Sequence, residues 1–161
     1  YATGNDLLPF LANGFTAAAK ASVGTSALES QTLGYLQPDD VIVPHRDELL
    51  FVALTQAKSM AQSGWRPPQR KPFPVAGRSG AATLRATLVN MREGGFISEH
   101  DLLIAGHMAD VVCGGDVDAG TLVNEEYLMA LERKAFTDLI VKEKTQELIL
   151  GMLNTGKPVR N

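Results

Sequence analysis

Near its end the chain reads GMLNTGKP, Gly151 to Pro158, which sets glycine, four residues, glycine and lysine at the spacing of a phosphate-binding loop. Such a loop cradles phosphates on backbone amides between a strand and a helix, and needs Ser or Thr behind the lysine to hold magnesium. Here Pro158 follows Lys157, and Gly151 falls inside the apolar helical run Leu148, Ile149, Met152, Leu153. The stretch therefore reads as a helix C-terminus, with Gly156 as left-handed cap and Pro158 as stop. His100, His107 and Asp110 come nearest to a metal-ligand set. Helical ligation wants donors at i and i+4, whereas Asp110 lies three residues beyond His107, and no metal is expected. His100, in SEHDLL, reads instead as a histidine flanked by helix-capping acids, and His45, after Pro44, as a turn residue.

Nucleophilic chemistry has little to draw on. Ser26 and Ser98 are accounted for as helix caps, Ser79 in GRSG lacks the Gly-x-Ser-x-Gly elbow, and Cys113 has no neighbouring base in sequence. As the one cysteine, in the apolar context DVVCGG, it reads as a small buried hydrophobe in a reducing compartment. Glu125, Glu126, Glu132, Glu143 and Glu147 all fall on solvent faces of expected helices and form no acid–base pair. Trp65, Arg66, Arg70, Lys71 and Arg78 make a short basic stretch that could meet an anionic ligand or another subunit, but the chain as a whole is acidic.

The elements that would position these residues are mostly helical. Leu7, Leu8, Leu11, Phe15 and Ala18 recur at three and four over Asp6 to Lys20, and Ser26 with Glu29 forms a capping-box pattern before a short helix that Gly34 stops. DDVIVP, closed by Pro44, suggests a strand of about four residues. Arg46 to Gln62 is an amphipathic helix ended by Gly64. Pro67, Pro68, Pro72 and Pro74 mark 64–80 as a linker. AATLRATLVNMRE is a helix stopped by Gly94-Gly95, and the next helix has Ser98 as N-cap, Asp101 in the box position and Gly114-Gly115 as stop. Asn124 caps a further helix, with Glu125 and Glu126 suiting its dipole, and a last one begins near Thr145. The expected fold is mainly α, about seven helices with one or two very short strands, over segments 1–63, 64–80 and 81–161.

With 161 residues the chain can bury roughly two-thirds of its unfolded surface. A net charge of -3 and 20% charged residues argue against a nucleic-acid partner. No apolar run reaches the length of a membrane span and no signal-peptide pattern opens the chain, so a cytoplasmic location is expected. The start at Tyr1, in mid-pattern, suggests a piece of something longer.

Two stretches go further. AKASVGTSALESQTLGYLQPDDVIVPHRDELLFVALTQAKSMA resembles the crotonase (enoyl-CoA hydratase) superfamily where a small capped helix leads through a short strand to an amphipathic helix. ISEHDLLIAGHMADVVCGGDV, with EEYLMALERKAFTDLIVKEKTQELILGMLNTGKPVRN, is similar to the C-terminal end of large bacterial multifunctional 3-hydroxyacyl-CoA dehydrogenases. The resemblance covers about Phe10 to Asn161. It implies the C-terminal helical region of a crotonase-type hydratase domain, in a fatty-acid β-oxidation enzyme that hydrates 2-enoyl-CoA and oxidises 3-hydroxyacyl-CoA with NAD. The glycine-rich crotonase segments and the Gly-x-Gly-x-x-Gly nicotinamide fingerprint are absent from these residues, so the chain alone is expected to bind no NAD and to be inactive, covering the CoA site and making subunit contacts.

The resemblance further implies that Phe136, in LERKAF, and a basic residue near the chain end, Lys157, contact the CoA nucleotide portion. Direct spacing would put the basic position nearer Thr155, and Phe136 can equally be a core aromatic with Tyr127 and Leu139. Without the sheet they would cover, some apolar helix faces should be exposed or pack against another copy, so self-association is expected. The competing reading is an independent helical interaction module without enzymatic activity.

Overall fold

The computed structural model describes residues 7–19 and 22–156. In chain order these form α1 (Leu8–Ala19), α2 (Ala27–Thr32), a 3-10 turn (Arg46–Glu48) running into α3 (Leu49–Gln62), β1 (Phe73–Pro74), α4 (Gly77–Glu93), α5 (Glu99–Cys113), β2 (Leu122–Val123), α6 (Glu125–Ile140) and α7 (Glu143–Thr155). The chain is mainly α, with seven helices and one two-stranded antiparallel sheet among the described residues. Two compact units result, one from Tyr1–Ala21 with Lys71–Asn161, the other Ser22–Arg70. These are not the segments expected from composition, because Phe15 of α1 packs into the core of α4 and α5, and the 64–80 stretch carries β1 and the first turn of α4.

The first unit is built on the α4–α5 hairpin. Ala81, Leu84 and Leu88 line one face of α4, and Ala105, Ala109 and Cys113 line the facing stripe of α5, with Phe15 of α1 closing the cluster. These spacings of three and four keep each set on one side of its helix. Small side chains let the helices approach closely. A Cβ added to Gly80 would lie 2.5 Å from the Ala76 Cβ and 3.2 Å from the Cys113 sulfur, so glycine relieves crowding on this face of α4. The expected caps hold: Ser98 Oγ accepts from the Asp101 amide at 3.1 Å, the Asp101 carboxylate accepts from the Ser98 amide at 3.0 Å, and Gly114 ends α5 in the left-handed region.

A ladder of two residue pairs closes this hairpin. Phe73 pairs with Val123 and Pro74 with Leu122, and beyond them the Val75 amide donates to Thr121 at 3.1 Å while the Gly120 amide donates to Val75 at 2.8 Å. Val75 and Val123 are buried. Asn124 then caps α6 by accepting from the Tyr127 amide at 2.9 Å, and the Tyr127 hydroxyl donates to the Gly114 carbonyl at 3.2 Å, satisfying one of the free groups at the end of α5. The last helix begins at Glu143, two residues before the expected start, and Gly156 caps it at φ 65.

In the second unit Ser26 caps α2 as expected, accepting from the Glu29 amide at 3.1 Å. The return bond of the box is displaced by one residue. The Glu29 carboxylate accepts from the Thr25 amide at 2.7 Å and its hydroxyl at 2.6 Å rather than from Ser26, and the Thr25 hydroxyl chiefly holds Glu29 below the usual carboxylate range. The expected strand at DDVIVP does not form: residues 41–43 have no regular structure and no ladder partner among the described residues, and β-branched residues supply a strand only when a neighbour accepts their hydrogen bonds. No residue of α2 or α3 is buried.

Candidate functional site

A concavity of about 500 Å³ lies within the first unit where α4, α5 and α6 meet. Ala81, Ala82, Val111, Leu131 and Ala135 make its apolar floor. Its walls are charged in pairs. Arg85 of α4 meets Asp110 of α5 at 2.5 Å, and Arg78 in the first turn of α4 reaches Asp116 at 3.3 Å and also Asp118. The hydrogen bond to Asp118 is the main reason that the Arg78 guanidinium is held above its ordinary value. His107, Lys134 and Asp138 complete the rim, and Lys134 has no ion-pair partner among the described residues.

This arrangement is suited to binding rather than to bond-making. An anion entering the groove would compete with carboxylates already seated on Arg78 and Arg85, leaving Lys134 as the cation most open to it. No local sequence signal marks this groove as a site. Arg85 and Asp110 are separated by the whole α4–α5 turn, and only helix pairing brings them together.

Of the residues singled out in the sequence, Arg78, His107 and Asp110 meet at this groove, and the others are scattered. Phe136 lies on α6 with 58% of its surface exposed, on the same stripe as Met129 and Ile140. At about 100° per residue this stripe is opposite the face that carries Leu131, Lys134, Ala135 and Asp138, so Phe136 is neither in the core nor in the groove. Lys157 and Pro158 lie outside the described residues.

His100 and His107 do not converge. His100 is buried and shares a 2.9 Å hydrogen bond with Thr145 Oγ1, which pins the start of α7 to the start of α5, whereas His107 faces the groove. Among the described residues no three His, Cys, Asp or Glu side chains come together as a metal site, and no helix is long and apolar enough to cross a membrane. His45 sits exposed beside Asp47, its Nδ1 3.9 Å from the carboxylate. Cys113 is buried, and desolvation, helped by Asp110, pushes its thiol above the ordinary value of 9.0.

The comparison with curated proteins finds a relative with a stated activity. This chain is 40% identical over 158 residues to a "Probable 3-hydroxyacyl-CoA dehydrogenase" of Bacillus subtilis (strain 168). The match takes in 98% of this chain and 20% of that protein, so the chain spans about a fifth of its relative's length. No family model matches the chain. No solved structure matches it either.

Proposed function

We propose that this chain is the helical part of an NAD-dependent 3-hydroxyacyl-CoA dehydrogenase of fatty-acid β-oxidation, and that the larger enzyme also hydrates 2-enoyl-CoA. The observation that carries the dehydrogenase reading is the 40% identity sustained over 98% of the chain, a span that includes both compact units. The hydratase activity rests on the crotonase resemblance of residues 19–61. On this reading the 161 residues hold neither the nicotinamide site nor the hydratase acids, and are inactive alone. Their work is to cover the CoA site, with exposed Phe136 against the nucleotide portion, and to make subunit contacts in the cytoplasm.

The test has two arms. Incubated alone with 3-hydroxybutyryl-CoA and NAD, or with crotonyl-CoA, the 161-residue chain should give no turnover, whereas the polypeptide translated from the whole reading frame should give both reactions. Turnover by the chain alone, or none by the whole product, refutes the reading. Calorimetric titration with CoA addresses the contact itself. If binding is seen, Phe136→Ala should weaken it about five- to tenfold, the scale of one lost aromatic contact. An unchanged affinity removes Phe136 from the site.

A further inference from the structure

The Ser22–Arg70 unit has no interior. None of its described residues is buried, although Val23, Leu28, Tyr35, Val41, Leu49, Leu50, Phe51, Leu54 and Trp65 all lie in it, each more than half exposed. Its longest element, α3, has one charged residue, Lys58, in 14. Isolated helices of this length are marginal in water and depend on packing of an apolar face. A folded unit that fully buries none of its large apolar side chains must find its core somewhere else.

The shape of the apolar surface says what kind of body supplies it. At about 100° per residue, Leu49, Met60, Ala53, Ala57, Leu50, Ala61 and Leu54 fill one continuous arc of roughly 140° on α3. That is the broad face of a helix laid against a globular core, wider than the narrow two-position seam of paired helices. Phe51 lies outside this arc, and Trp65 on the segment that follows α3, so exposed apolar groups are not confined to a single patch. A second copy joined about a two-fold axis covers one self-complementary patch. The curated relative offers more: the matched segment is 20% of its length, so four-fifths of that polypeptide lies outside the segment.

We infer that Ser22–Arg70 is a docking unit, completed by an apolar surface of the remainder of the larger dehydrogenase polypeptide on which α3 lies with its Leu49–Leu50–Leu54 face down. The inference rests on the reading that this chain is part of such an enzyme, and it names which surface of the chain meets the rest. The occupant is an uncharged, apolar face of the same polypeptide.

Hydrogen exchange of the α3 amides, in the 161-residue chain and in the product of the whole reading frame, tests it. The expected result is rapid exchange in the 161-residue chain at every concentration, strong protection in the whole product, and loss of that protection with Leu50→Glu while α5 stays protected. Protection in the 161-residue chain that disappears on dilution would replace the occupant with a second copy. Protection there at all dilutions, or rapid exchange in the whole product, would overturn the docking unit outright. The function reading is tested separately: a whole product that protects α3 but does not oxidise 3-hydroxybutyryl-CoA keeps the docking and removes the dehydrogenase.

Discussion

Deleting the same atoms from Leu88 and from Leu50 should have very unequal consequences for stability. Leu88 is 2% exposed and belongs to a buried cluster rich in alanine, Ala81, Ala105 and Ala109, whose side chains have no rotamers with which to fill a gap. Leucine-to-alanine changes at buried sites cost about 2–5 kcal/mol, rising with the cavity that remains, so a site with little power to collapse should lose about 3–4 kcal/mol. Leu50 is 70% exposed. With about 2 kcal/mol for burying a whole leucine side chain, the buried third is worth about 0.6 kcal/mol, and alanine's slightly better helix propensity returns part of it. The net change at Leu50 should fall below about 0.5 kcal/mol.

Urea unfolding followed by helical ellipticity reads all the helices together, most of them in the first unit, and the fluorescence of Trp65, the one tryptophan, reads the other unit separately. Leu88→Ala should lower the ellipticity midpoint with its slope unchanged, and Leu50→Ala should leave it in place. Equal losses from both substitutions would refute the assignment of the interior to the first unit.

Other consequences follow from single contacts. Ser98→Ala removes an N-cap acceptor and one side of the box, and should cost about 1 kcal/mol by the same urea measurement. Thr145→Val keeps the shape but strips the partner from buried His100, and should speed amide exchange in α7 far more than in α5, at a cost of about 1–3 kcal/mol. For Cys113, whose folded thiol titrates above 9.0, the unfolded chain gives up its proton first as pH rises. Its contribution is therefore intact below that pH and lost as pH climbs from the unfolded toward the folded value. A colourless disulfide reagent that releases a coloured thiolate should label Cys113 at mildly alkaline pH only as fast as the hairpin opens, and rapid labelling of the folded chain would contradict its burial.

Features written in neighbouring residues were legible from the sequence. Ser98 and Asp101, Asn124 with the amide three residues on, and the glycine stops at Gly114 and Gly156 are each settled within one helical turn. The mainly α class follows from the same signals. What escaped depends on residues far apart. DDVIV has the composition of a strand but no partner, whereas Phe73–Pro74, inside a proline-rich stretch, pairs with Leu122–Val123 some fifty residues away. Gly77 begins α4 four residues before the apolar pattern does, because its positive φ fits a turn under the Val117 carbonyl, where a Cβ would come within 2.4 Å. His100 could not be recognised as buried without Thr145, nor Arg85 as a groove residue without Asp110. Phe136 was legible as an aromatic on helical spacing, but spacing does not say which face of α6 the rest of the unit leaves open.

The small ladder at Val75 and Gly120 also bears on the order in which the chain folds. Everything between these residues leaves from and returns to one place, so the α4–α5 hairpin assembles from near neighbours while the ladder must bring together two distant ends. Local contacts form early and loop closure is an added entropic cost, so the hairpin should nucleate and the two strands should latch afterwards. Being so short, the latch should also open first, releasing the start of α6 while the Leu84–Leu88 and Ala105–Ala109 stripes remain joined.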